Sequence, residues 1–99
     1  MSLSNNQKRH LRGLAHPLKP VVMLGQKGLT ETVMEEVRIA LDSHELIKVR
    51  VSTGDREERQ KIIERICNTT ESELVQAIGN IAILFRRNHD KPRVEMPSR

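Results

Sequence analysis

Pro20-Val21-Val22-Met23-Leu24-Gly25-Gln26-Lys27-Gly28-Leu29-Thr30 changes period in its middle. Its first five residues are apolar and predict a buried strand. From Thr30 onward the spacing is helical: Val33, Val37, Ala40 and Leu41 share one face, with Glu31, Glu35 and Asp42 opposite. Thr30 is the expected N-cap, and Glu31 suits the positive end of the helix dipole. Gly25 and Gly28 therefore fall on a strand-to-helix turn.

Glycine tolerates positive φ and lets another molecule approach the backbone closely. With Lys27 beside it and the free N–H groups of a helix start after it, the turn offers a place for a phosphate. A Gly-x-x-Gly loop is also how KH-type domains clamp a nucleic-acid backbone. As an isolated pair, the glycines fit a plain tight turn better than a phosphate site. The surrounding charge gives them weight. Residues 1–30 carry Lys8, Arg9, Arg12, Lys19 and Lys27 and no carboxylate, and such basic blocks favour polyanionic partners.

The whole chain agrees with that reading. Its 99 residues make one small domain, with 17 Lys and Arg against 13 Asp and Glu, a net charge of +4. One cysteine, Cys67, excludes an intrachain disulfide and a multi-Cys zinc site. No apolar run approaches the ~20 residues of a membrane span, and the N-terminus lacks a signal-peptide pattern, so a soluble cytoplasmic protein is expected. Phe85 is the only aromatic residue. The stacking platforms of RRM and OB-type domains need more than one. The expectation moves to backbone and shape contacts with structured RNA, with Arg50 or Arg86 as a guanidinium that could stack.

Catalysis finds little support. His10, His16, His44 and His89 are scattered outside metal-ligand spacings. His44 suits a helix C-terminus better than a general base, and Cys67 suits a core position. Glu57 and Glu58 are neighbours on a helix and diverge by about 100°. No enzyme, cofactor, metal or small-molecule substrate is expected.

Working outward, Ser4-Asn5-Asn6-Gln7 has the form of a capping box. Behind it Leu11, Leu14, Ala15 and Leu18 share one face, with Pro17 ending the helix near His16 and Leu18 packing from the loop. Arg9, Arg12 and His16 point away. Leu46-Ile47-Lys48-Val49-Arg50-Val51 alternates, which sets Ile47, Val49 and Val51 on one face and Leu46, Lys48 and Arg50 on another, open to solvent. Asp55 caps a third helix with Ile62, Ile63 and Ile66 inward. Residues 73–78 and 81–86 form a hairpin through Gly79-Asn80. Residues 88–99, with Pro92, Pro97, Lys91, Arg93 and Arg99, read as a mobile basic tail after a domain of residues 1–87. The order αβαβαββ predicts an α+β fold with a mixed four-stranded sheet. Strands joined through helices should pair parallel and the last two antiparallel. Helices mainly in one layer would leave the other sheet face bare, with Lys48 and Arg50 on it.

Three blocks in order then carry a resemblance: His16-Pro17-Leu18-Lys19-Pro20-Val21-Val22, Leu24-Gly25-x-x-Gly28-Leu29-Thr30-Glu31 and His44-Glu45-Leu46-Ile47-Lys48-Val49. They closely resemble the CRM domain (chloroplast RNA splicing and ribosome maturation), most of all its free-standing bacterial YhbY-like members, over about Leu3 to Arg86. The resemblance implies a fold like the C-terminal domain of bacterial translation initiation factor three. It also implies RNA binding and association with precursors of the large ribosomal subunit. Carried onto this chain, it gives Gly25, Gln26, Lys27 and Gly28 as the loop, and Lys48 and Arg50 as basic sheet residues. Arg86, Arg9, Arg12 and Lys19 complete the expected RNA-binding set, on a monomer. Two positions depart from the family pattern: Phe85-Arg86-Arg87 replaces a common Tyr-Arg-Pro, and Asn68-Thr69-Thr70-Glu71 lacks a common turn glycine. The rival reading is an adapter that docks on a ribosomal protein or assembly factor, its charges serving solubility.

Overall fold

The computed structural model describes residues 2–98. Its elements are α1 (Asn5–Ala15), β1 (Val22–Leu24), α2 (Glu31–His44), β2 (Leu46–Val51), α3 (Arg56–Thr70), β3 (Glu73–Ile78) and β4 (Ile81–Phe85). Local chemistry sets the boundaries. Ser4 and Gln7 form the reciprocal capping box of α1, Thr30 Oγ1 accepts from Val33 N–H, and Asp55 accepts from Glu58 N–H. Helices α2 and α3 end at Glu45 and Glu71, both with positive φ, 63° and 57°. Glycine is usual there. Glu71 thus occupies the turn where the family's common glycine is missing.

The four strands form one mixed sheet in the order β1-β2-β4-β3. β1 and β2 pair parallel, as expected for strands joined by a helix. β2 and β3, also joined by a helix, do not pair: β4 lies between them, antiparallel to both. Burial explains the order. Ala82 to Phe85 are buried on both faces, which suits a central strand, whereas β3 is half exposed and takes the edge. β1 is the other edge, shorter than the expected residues 20–24 and not buried throughout: Val21 and Met23 are exposed, Val22 and Leu24 buried.

The two sheet faces carry separate cores. On one, α2 and α3 cover Val22, Leu24, Ile47, Val49, Val51, Ala82 and Leu84 with Val37, Leu41, Ile63 and Ile66. On the other, α1 contributes Leu11 and Ala15 over Leu46, Val75, Ile83 and Phe85. The face expected to be bare is therefore half covered. Leu11 alone, fully buried, should contribute about 2–5 kcal/mol against alanine. Leu14 and Leu18, expected in the same stripe, are exposed: α1 crosses the sheet on a narrow line, and only Leu11 and Ala15 reach it.

Residues 88–98, expected as a mobile tail, lie against this second core in the structure, with Val94 and Met96 packed on it. Glu45 anchors them. Its carboxylate is fully buried and accepts from the backbone N–H groups of Asn88 (2.5 Å), Arg93 (2.6 Å) and Val94 (2.9 Å) and from Arg87 Nη1 (3.2 Å). Gln7 Nε2 donates to the Pro97 carbonyl and His10 Nε2 to that of Glu95.

Candidate nucleic-acid interface

The Gly25–Gly28 segment is a tight turn closed by Gly28 N–H to the Gly25 carbonyl, 3.0 Å. Gly28 has φ +70°, so the fold itself asks for glycine there. Gly25 is different. Its φ is not in the left-handed region, and a Cβ placed on it meets no atom within 4 Å. Nothing inside the protein requires a glycine at that position. Gln26 and Lys27 at the tip are exposed. The turn leaves β1 directly, at the same end of the sheet as the end of β2 and the Gly79-Asn80 turn, where Asn80 carbonyl accepts from Val51 N–H.

Strand register decides which cations share a surface. Val22, Leu24, Val49 and Val51 face α2 and α3, so Met23, Lys48 and Arg50 point to the α1 side. Arg9 and Arg12 lie on α1, on that same side, and Lys19 follows it in the connecting loop. Arg50 is exposed and makes no ion pair among the described residues. Lys48 has a structural task as well. Its Nζ donates to the carbonyls of His16 (3.2 Å) and Leu18 (3.0 Å), which fixes the C-terminal end of α1 to β2.

Arg86 does not join this surface. It follows β4 one residue after Phe85 and so turns to the α2–α3 side. There Nη1 donates to the Thr70 carbonyl at the end of α3, and Nη2 to the Arg38 carbonyl and the Asp42 carboxylate near the end of α2. A guanidinium at two helix C-termini is well placed against their dipoles. Arg86 is a tie between helices, and the expected grouping with Lys48 and Arg50 is corrected on that ground. His44 is exposed at the end of α2, and the adjacent Glu45 is committed to its four donors. Burial raises the Cys67 thiol pKa, which suits packing more than reactivity.

Sequence reasoning missed one feature of this face. Met23, Arg50, Ile81 and Ile78 are directly paired across all four strands. Met23 is 64% and Ile78 59% exposed. The signal was present in the alternation of β1 and β3, but it becomes a row only once the strand order is known.

The chain's relatives fit this architecture. The sequence model of the CRS1 / YhbY (CRM) domain matches residues 3–86. A protein of Haemophilus influenzae named "RNA-binding protein" is 49% identical over 96 residues, which cover 97% of this chain and 96% of the relative. The Pseudomonas aeruginosa "Probable RNA-binding protein PA4753" is 40% identical over 88 residues, 89% of this chain and 85% of the relative. The solution structure of the hypothetical protein SAV1595 from Staphylococcus aureus matches with a TM-score of 0.83 at 33% identity, over 97% of this chain and 100% of that one. Sequence blocks, element order and relatives agree: the chain belongs to the CRS1 / YhbY (CRM) domain family.

Proposed function

We propose that this protein binds structured RNA, that it does so on precursors of the large ribosomal subunit, and that it acts there in assembly without catalysing a reaction. The observation that carries the reading is Gly25. A glycine required neither by φ nor by packing, beside exposed Lys27 at the end of a basic sheet face, fits a turn approached closely by a sugar-phosphate backbone. Relatives named as RNA-binding proteins support the partner class. In this reading Lys27 and the turn N–H groups other than that of Gly28 hold phosphate, and Arg50, Arg9, Arg12, Lys19 and Lys48 supply the surrounding positive field. Residues 1–87 carry these contacts, and the protein works as a monomer in the cytoplasm.

The test is binding to large-subunit ribosomal RNA titrated with salt. If Z cations contact phosphates, log affinity falls with log salt at about −0.7Z to −0.9Z. The double variant Lys27→Ala/Arg50→Ala should flatten the slope by roughly 1.5, as the loss of two contacts requires. Gly25→Asp should weaken binding at least tenfold at an unchanged melting temperature, since its side chain enters open space. Salt-insensitive binding, or wild-type affinity in both variants, defeats the proposal and favours the adapter reading.

A further inference from the structure

Part of the α1-side face is left uncovered, and its composition is unusual for a solvated sheet. The row Met23–Arg50–Ile81–Ile78 runs from one edge of the sheet to the other. At ~4.8 Å per strand step it spans about 14 Å. Three of its four members are apolar, and both ends are largely exposed. Beside it, Val21, 53% exposed, extends the apolar surface along β1. Among the described strand residues on this face the only acid is Glu73. It lies at the far, α1-covered end, paired with Phe85 and accepting from Leu3 N–H. Arg50 thus has Met23 and Ile81 as its cross-strand neighbours and Lys48 beside it on its own strand, and it makes no ion pair among the described residues.

Resting on the RNA-binding reading above, we infer that this row seats unpaired nucleobases, laid side by side along Met23, Ile81 and Ile78 and stacked by Arg50, while the Gly25–Gly28 turn holds the adjoining phosphate. Two features select this occupant. A base has an apolar face that gains from leaving water and a π-surface that stacks on guanidinium. A plain apolar partner would bury the lone Arg50 charge without compensation, whereas RNA brings its phosphates with it. Continuity favours the same occupant, since Met23 is two residues from Gly25 and one strand connects the row to the turn. The chain thereby manages base contact without the aromatic platform it lacks.

The experiment compares a blunt RNA duplex with the same duplex carrying a short single-stranded adenosine extension, using the full chain. Wild type should bind the extended RNA about fivefold to tenfold more tightly, the low end of the range for stacking one base. Met23→Thr/Ile78→Thr should lose that gain and retain duplex affinity and salt slope. Both positions are exposed and threonine suits strands, so the melting temperature reports whether folding is intact. Methyl NMR gives a reading on the unmodified protein. Phe85, the only Phe, Tyr or Trp, is buried in the second core, and none of the four histidines belongs to the row, so upfield ring-current shifts at the Met23, Ile78 and Ile81 methyls report a base stacked on them. They should appear with the extension and not with the blunt duplex. Equal affinity for the two RNAs with no methyl shifts overturns the inference, leaves the backbone reading standing and returns the row to a protein partner. Loss of salt-dependent binding to both RNAs removes the reading itself.

Discussion

At the scale of single residues, Glu45 holds a conformation that most side chains avoid, φ +63° at the end of α2, a strain of about 1–3 kcal/mol. Its carboxylate offsets that strain. Burial raises its pKa, but the N–H groups of Asn88, Arg93 and Val94 and the Arg87 guanidinium outweigh burial and leave it below the usual 4.5. A carboxyl with a depressed folded-state pKa contributes stability above its unfolded value, lost as pH falls through the folded one. Glu45→Gln would set an amide N–H₂ against N–H donors. It should cost about 2–3 kcal/mol at neutral pH, and the gap to wild type should close below about pH 4.5. Urea unfolding of both proteins across pH 3–7 checks this; a gap that is constant with pH defeats it. Sequence spacing marked His44-Glu45 as a helix end and could not reveal this role, because the partners lie more than 40 residues away.

At the scale of elements, caps and periods were legible and partners were not. Ser4, Thr30 and Asp55 start their helices as their sequences predict, because capping is a contact over three residues. Leu46 shares a face with Lys48 and Arg50 and, as an apolar residue, requires a cover there, which α1 supplies. The parallel β2–β3 pairing expected from their helical connection gives way to β4, whose unbroken apolar run Ile81-Ala82-Ile83-Leu84-Phe85 describes a central strand. The segment after β4 belongs with α1. Replacing Val94 and Met96 together by serine should lower the melting temperature by roughly 5–10 °C, as removal of about 1–2 kcal/mol does in a domain this size. Unchanged melting would show that the segment adds nothing to the second core.

At the scale of the whole molecule, the two faces of the sheet divide the labour. One is closed by α2 and α3, whose outer surfaces mix acids with bases. The other bears α1, the free Arg50 and the uncovered row. Charge reversal should therefore be asymmetric. Arg9→Glu/Arg12→Glu should flatten the salt dependence of RNA binding by about 1–2 in slope, and Arg56→Glu/Lys61→Glu on α3 should leave it near wild type. Equal effects would mean that net charge, not its placement, governs binding. The Gly25–Gly28 turn and most of the basic surface could be found in sequence because they are contiguous or share an element. Arg86 was misplaced because its side of the sheet depends on strand register.

The Glu45 anchor has a further consequence for how the chain comes into being. The α2–α3 core is complete within residues 22–84. The second core joins Leu3, Leu11 and Ala15 to Val94 and Met96, and Gln7 meets Pro97 across 90 positions. During translation, α1 must therefore wait, its apolar stripe without a finished seat, until Val94, Met96 and Pro97 have left the exit tunnel. One face of the molecule can mature once residue 84 has emerged, whereas the other needs both the start of the chain and the segment that follows the last strand.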